Sequence, residues 1–247
     1  VPADHIVAST GVLQNGKEVL TAEELKRFTA AKTSDEPVLI VTQEEAEKKE
    51  KNKETKKTKT WHFKAENVRD FAFANSRKFI WDAQAVKVGT NTPLAMSFYP
   101  KEGNPLWGQF STRVVAHTLR SYSKHTIDYP YPVAISVHTK WMGMEYPMIT
   151  FNGPRTDLED DGTRTYSRSE KQFLIGVVIH EVGHNYFPMI INSDERQWTW
   201  MDEGLNTFMQ YIAEQEWDVE YNSRRGEARW IVDYMKSENQ VPIMTNS

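Results

Sequence analysis

The 247-residue sequence contains no cysteine. Disulfides and thiolate ligands are therefore excluded, and any bound metal must be held by nitrogen and oxygen. Long apolar runs are missing too. None approaches the roughly 20 residues of a membrane-spanning helix, and the first residues lack the shape of a signal peptide. Charge of one sign is lacking: 30 basic residues against 34 acidic ones leave a net charge of −4. Nucleic acid is not an expected partner for so balanced a chain. No internal repeat is present. The chain does have 39% hydrophobic residues and eight tryptophans, enough for the core of one large domain or two modest ones. It begins with Val rather than Met, as expected of a piece of a longer protein.

Two halves differ in pattern. Residues 6 to 13 read as a strand entering the Asn15-Gly16 turn, and residues 37 to 42 as another. Glu44 to Lys59 is dense in Lys and Glu, as a solvated loop or exposed helix would be. Residues 61–63, 70–74, 78–81 and 94–99 read as short β segments, with Pro100 and Gly103-Asn104-Pro105 breaking the pattern. Beyond that point, residues 110 to 125 have helical spacing, with Val114, Val115, Leu119 and Tyr122 on the expected buried face. Residues 132–138 and 148–151 are β-branched and apolar, as half-buried strands are.

The informative motif is His180-Glu181-Val182-Gly183-His184. Histidines at i and i+4 project from one helix face, so both imidazoles reach one ion. The helical context is present. Ser167 and Glu170 have capping-box spacing, Phe173, Leu174, Val177 and Val178 form a stripe, and Pro188 ends or bends the helix. Glu203, nineteen residues after His184, supplies a carboxylate at the start of a second helix, with Asp202 as its expected N-cap. Leu205, Phe208, Met209 and Ile212 are the expected buried stripe of that helix. His180, His184 and Glu203 are thus expected to hold one Zn²⁺, with the fourth position open to water, the pattern of a catalytic site. Glu181 lies about 100° around the helix from His180. It is expected to act as general base on that water and to pass the proton to a leaving amine. Hydrolysis of an amide through a tetrahedral intermediate is the implied reaction. His117, His125 and His138 lack ligand spacing and are expected to be ordinary polar or capping residues; His5 and His62 carry no signal.

The zinc motif, its spacing to Glu203 and the Trp200-Met201-Asp202-Glu203-Gly204 run resemble the zinc aminopeptidase family of alanyl aminopeptidase and leukotriene hydrolase, peptidase family M1. That family carries a Gly-x-Met-Glu-Asn motif some thirty residues before the histidines. Gly143-Met144-Glu145-Tyr146 is similar, shortened and with Tyr146 where Asn is usual. The resemblance implies an α+β fold. Residues 1–103 would be the C-terminal part of a β-sandwich or saddle domain. Residues 104–247 would be a thermolysin-like catalytic domain incomplete at its C-terminus. It implies that Glu145 holds the substrate's free α-amine and that Gly143 and Met144 line the site. Peptides or proteins with a free N-terminus are the implied partners. The family's oxyanion tyrosine is expected beyond residue 247, so this piece of the enzyme is not itself expected to be fully competent. A thermolysin-like endopeptidase and an inactive scaffold homologue are the alternatives. His180, Glu181, His184 and Glu203 are all intact, which is not the mark of a scaffold. No feature assigns a compartment or an oligomeric state.

Overall fold

The computed structural model describes residues 1–51, 56–140, 143–223 and 227–242. The chain opens with β1 (Ile6–Ser9), β2 (Val12–Leu13), α1 (Gly16–Val19), α2 (Ala22–Ala31), β3 (Val38–Val41) and α3 (Gln43–Lys51). β4 (Phe63–Lys64), β5 (Phe73–Ser76), β6 (Ile80–Ala85) and β7 (Leu94–Tyr99) follow. Then come α4 (Leu106–His125), β8 (Val133–His138), β9 (Gly143–Tyr146), β10 (Ile149–Asn152) and the small pair β11 (Asp157–Leu158) and β12 (Arg164–Thr165). The last helices are α5 (Arg168–Gly183), α6 (Glu203–Trp217) and α7 (Val232–Met235).

The fold is α+β. Its centre is a six-stranded sheet in the order β3-β6-β7-β8-β10-β9. β7, β8 and β10 run parallel, and the outer neighbours are antiparallel. A parallel step needs a crossover, and α4 supplies it between β7 and β8. Strands from both sides of residue 103 share this sheet. β1 pairs with β5 and β2 with β4 as two small antiparallel pairs.

The first hundred residues are less purely β than the sequence suggested. α2 begins with a full capping box, Thr21 and Glu24 bonding reciprocally to each other's backbone N–H. The acidic and basic run from Glu44 forms α3 as far as Lys51; residues 52–55 of that run lie outside the described residues.

α4 buries Val114, Val115, Leu119 and Tyr122 completely, as its spacing predicts. α5 has the Ser167–Glu170 capping box and sinks Leu174, Ile175, Val178, Ile179 and Val182 into the core. Each such burial contributes about 1.5–3 kcal/mol, so α5 is held rigidly between sheet and α6. Gly183 permits the close approach of three helices. A β-carbon there would lie 2.3 Å from both the Asn206 Oδ1 atom of α6 and the Tyr122 hydroxyl of α4. Among the described residues, no helix is long and apolar enough to cross a membrane.

Candidate metal centre

His180 lies in the last turn of α5, and His184 is the residue that caps it. The chain then leaves helical geometry at Phe187, just before Pro188. The ring tautomers follow from hydrogen bonds. Gln210 uses its amide nitrogen to donate to the Gly176 carbonyl and to Glu214. Its oxygen is therefore the acceptor, and His180 Nδ1–H donates to it at 2.9 Å. His184 Nδ1–H donates to the Phe187 carbonyl at 2.9 Å. In the neutral form of each ring, the form that binds a metal, the remaining nitrogen, Nε2, carries a lone pair. Those two Nε2 atoms are 3.1 Å apart.

Glu203 starts α6 and completes the cluster. Its Oε2 lies 3.1 Å from His180 Nε2 and 3.9 Å from His184 Nε2. Three electron-pair donors therefore face one point. A tetrahedral ion with bonds of about 2.0–2.1 Å separates its ligand atoms by roughly 3.4 Å. The three spacings bracket that figure, and the donor set of two imidazoles and a carboxylate is one that zinc accepts. Without a cation the lone pairs crowd one another. His184 is also basic: burial opposes its charge, but the Asp202 carboxylate at its Nδ1 and the negative charge of Glu145 outweigh burial and lift its pKa to about 9. A proton or a metal ion would meet the same need.

Asp202 departs from its expected role. It occupies the N-cap position of α6 but makes no side-chain cap bond. Instead its Oδ1 sits 2.8 Å from His184 Nδ1. That distance is short, yet Oδ1 has no hydrogen bond of good geometry, because the Nδ1 proton points to Phe187. We read the contact as a charge held beside the ring.

The buried face of α6 is only partly the expected one: Met209 is buried and Ile212 packs against the core, as expected. Leu205 and Phe208 are 43% and 56% exposed, whereas Asn206, Gln210 and Glu214 are buried. Glu203, Asn206, Gln210 and Glu214 follow i, i+3, i+7, i+11 spacing, so they form one polar stripe facing α5. Asn206 donates to the His180 carbonyl at 2.8 Å. Polar partners for His180 share the buried side of this helix with Met209 and Ala213. The polar spacing from Glu203 is present in the sequence, but no local signal sets it above the apolar stripe beside it.

Glu181 is buried, with 6% exposure. Burial, aided by the negative charges of Glu145 and Glu203 and opposed by His180 and His184, raises its pKa to about 7. A carboxyl group near neutrality can both take and give a proton. Gly143 of β9 is packed directly on it: an added β-carbon would lie 2.2 Å from Glu181 Oε1. Glu145 is on the same face of β9, by strand alternation. Its carboxylate falls in a second group of converging oxygens and nitrogen with His184 and Asp202. Met144 points to the other face and is 45% exposed. The structure thus brings His180, Glu181, His184, Glu203, Gly143 and Glu145 together and leaves the Met144 side chain outside.

The other histidines have structural partners or none. His117 Nε2 meets the Ala213 carbonyl at 2.8 Å, His125 meets Glu216 at 2.8 Å, and His5 meets Asn75 at 2.6 Å. His138 is buried against Trp107, and burial lowers its pKa to about 4.

The family model described as "Peptidase family M1 domain" matches residues 110–246, more than half of the chain. The chain belongs to peptidase family M1. It is 24% identical to the alanine/arginine aminopeptidase of Saccharomyces cerevisiae over 168 residues, which are 64% of this chain and 19% of that protein. It is 28% identical to aminopeptidase M1-D of Oryza sativa subsp. japonica over 130 residues, 50% of this chain and 14% of that one. These matches span a fifth or less of each relative's length. The fold is similar to that of the M1 zinc metallopeptidase from Deinococcus radiodurans, with a TM-score of 0.55 and 16% identity over 88% of this chain and 39% of that one.

Proposed function

We propose that this chain is the zinc-binding part of an aminopeptidase, which releases residues from the free N-terminus of peptides. The observation that supports it best is the convergence of three electron-pair donors, His180 Nε2, His184 Nε2 and Glu203 Oε2, with both Nδ1 atoms already committed as donors. These three residues would hold one Zn²⁺. Zinc, when bound, polarises the scissile carbonyl and acidifies water.

The chain's own residues do the rest. Glu181 takes the proton of the attacking water and delivers it to the leaving amine. A pKa raised to about 7 suits both halves of that transfer. Gly143, lacking a side chain, leaves the Glu181 carboxylate its place. Glu145 holds the substrate's α-ammonium group, which fixes the cut one residue from the end. Supporting this are its position on the Gly143 face of β9 and its electrostatic reach to both Glu181 and His184.

Anomalous scattering at the zinc edge on metal-loaded crystals tests the centre: one peak bounded by His180, His184 and Glu203 is expected, and a peak elsewhere refutes it. Peptide pairs with free and acetylated N-termini test the exopeptidase reading in the parent enzyme. Glu145→Ala is expected to lower kcat/KM by roughly tenfold or more for the free peptide alone, the worth of a charge-assisted contact. Equal losses for both peptides would favour an endopeptidase.

A further inference from the structure

Beside the centre, the groove between α5 and α6 opens into a recess of ≈ 550 Å³, a volume suited to a small ligand or a large side chain. His180, Glu181 and Gly143 line one part of it. Glu214, three turns along α6 from Glu203, lines another. The side chain of Glu214 is almost wholly buried, at 3% exposure. Its Oε1 accepts from Gln210 at 2.7 Å, while its buried Oε2 has no hydrogen-bond partner.

A buried carboxylate oxygen without a partner is costly. Such a group points to a ligand that completes it. No lysine or arginine is among the described lining residues; Arg168 and Arg229 line the adjoining depression. Two carboxylates, Glu181 and Glu214, give the recess a negative character. Phe173 and Val177 supply apolar wall. That combination matches a long aliphatic stem ending in a cation. Gly176 keeps the passage open, since a β-carbon there would lie 3.0 Å from the Tyr221 hydroxyl and 3.2 Å from Glu214 Oε1.

We propose that this recess receives the lysine or arginine side chain of the substrate residue just after the scissile bond, with Glu214 Oε2 as its ionic partner. The side of the bond follows from the lining. Glu181, which serves the leaving amine, borders the recess, and Glu145, the anchor of the first residue, does not. The inference rests on the peptidase reading above. Glu214 is a specificity residue here, and no step of the chemistry passes through it.

The test is calorimetric and needs no turnover. The zinc-loaded 247-residue chain is titrated with two dipeptide analogues whose scissile carbonyl is reduced to methylene, one alanyl-lysine and one alanyl-norleucine. The lysine analogue should bind at least tenfold more tightly. Glu214→Gln, which keeps an acceptor for Gln210, should bring the ratio close to one and leave the norleucine affinity within about twofold. Should that variant not fold, Gly176→Ala should weaken the lysine analogue selectively by narrowing the passage. Equal affinities in the unmodified chain, or a lysine preference that survives Glu214→Gln, would overturn the recess assignment while leaving the peptidase reading intact. Failure of both analogues to bind a chain that takes up no zinc would overturn both.

Discussion

Gly143 and Glu181 are in contact across the space between β9 and α5, so close that any side chain at Gly143 would occupy the position of Glu181 Oε1. The obstructing atom is the end of a flexible side chain. Gly143→Ala should therefore be tolerated by the fold, with the Glu181 carboxylate displaced. Zinc content and melting temperature should stay near those of the unmodified protein. In the active parent enzyme kcat should fall by roughly one to two orders of magnitude, since a misplacement of about 1 Å costs that much. An unaltered kcat would mean that Glu181 is not the base.

Asp202→Asn tests the charge beside His184. Asp202 makes no side-chain cap bond that could be lost, and asparagine has the same shape, so the variant should unfold at nearly the same urea concentration. It lacks the negative charge that sits beside His184 Nδ1. Zinc affinity, measured by chelator competition, should drop by roughly 10–100-fold, the usual effect of losing a ligand's outer partner. Unchanged affinity would leave Asp202 without a role at the centre.

These two residues show where the sequence was legible. HExxH spacing, the Ser167–Glu170 box and the carboxylate of Glu203 are local signals, and all three lie where a helix period puts them. Strands at 94–99 and 133–138 were readable because β-branched and apolar residues mark them. The role of Asp202 was not readable. An aspartate before a helix looks like a cap, and only the turn at Phe187 and Pro188 brings His184 to it. The same holds for α6. Its apolar residues suggested a buried stripe, of which Met209 is buried, but the demand of His180 for polar partners turned Asn206 and Gln210, with Glu214 behind Gln210, inward. Sheet order was beyond reach, because parallel pairing of β7, β8 and β10 joins segments far apart in the chain.

Gly183 carries a stability prediction. Its hydrogen faces the Asn206 amide and the Tyr122 hydroxyl, which are themselves bonded at 2.8 Å. Gly183→Ala must force α4, α5 and α6 apart. Overpacking of this kind costs about 1–3 kcal/mol. Because Asn206 also holds the His180 carbonyl, zinc affinity should fall with stability. A variant as stable as the parent in urea would show that the three helices can shift without loss.

Glu216 gives a pH dependence away from the centre. It lies near the end of α6 and receives bonds from three residues of α4: Ser121 at 2.7 Å, Lys124 at 2.6 Å and His125 at 2.8 Å. Burial alone would raise its pKa, but the bonds from Lys124, His125 and Ser121 outweigh it and bring the value from 4.5 to about 2. A carboxylate with a depressed folded-state pKa binds protons less readily folded than unfolded. Its contribution is therefore complete above about pH 4.5 and is lost as pH falls toward 2. Glu216→Gln should cost about 1–2 kcal/mol at pH 7, the charge being partly screened by solvent. The gap between the two proteins should narrow below pH 4.5 and close near pH 2. Urea unfolding of both, followed from pH 7 to pH 2, measures it. A gap that stays constant over that range would mean the three bonds contribute through packing, with no share from the charge of Glu216.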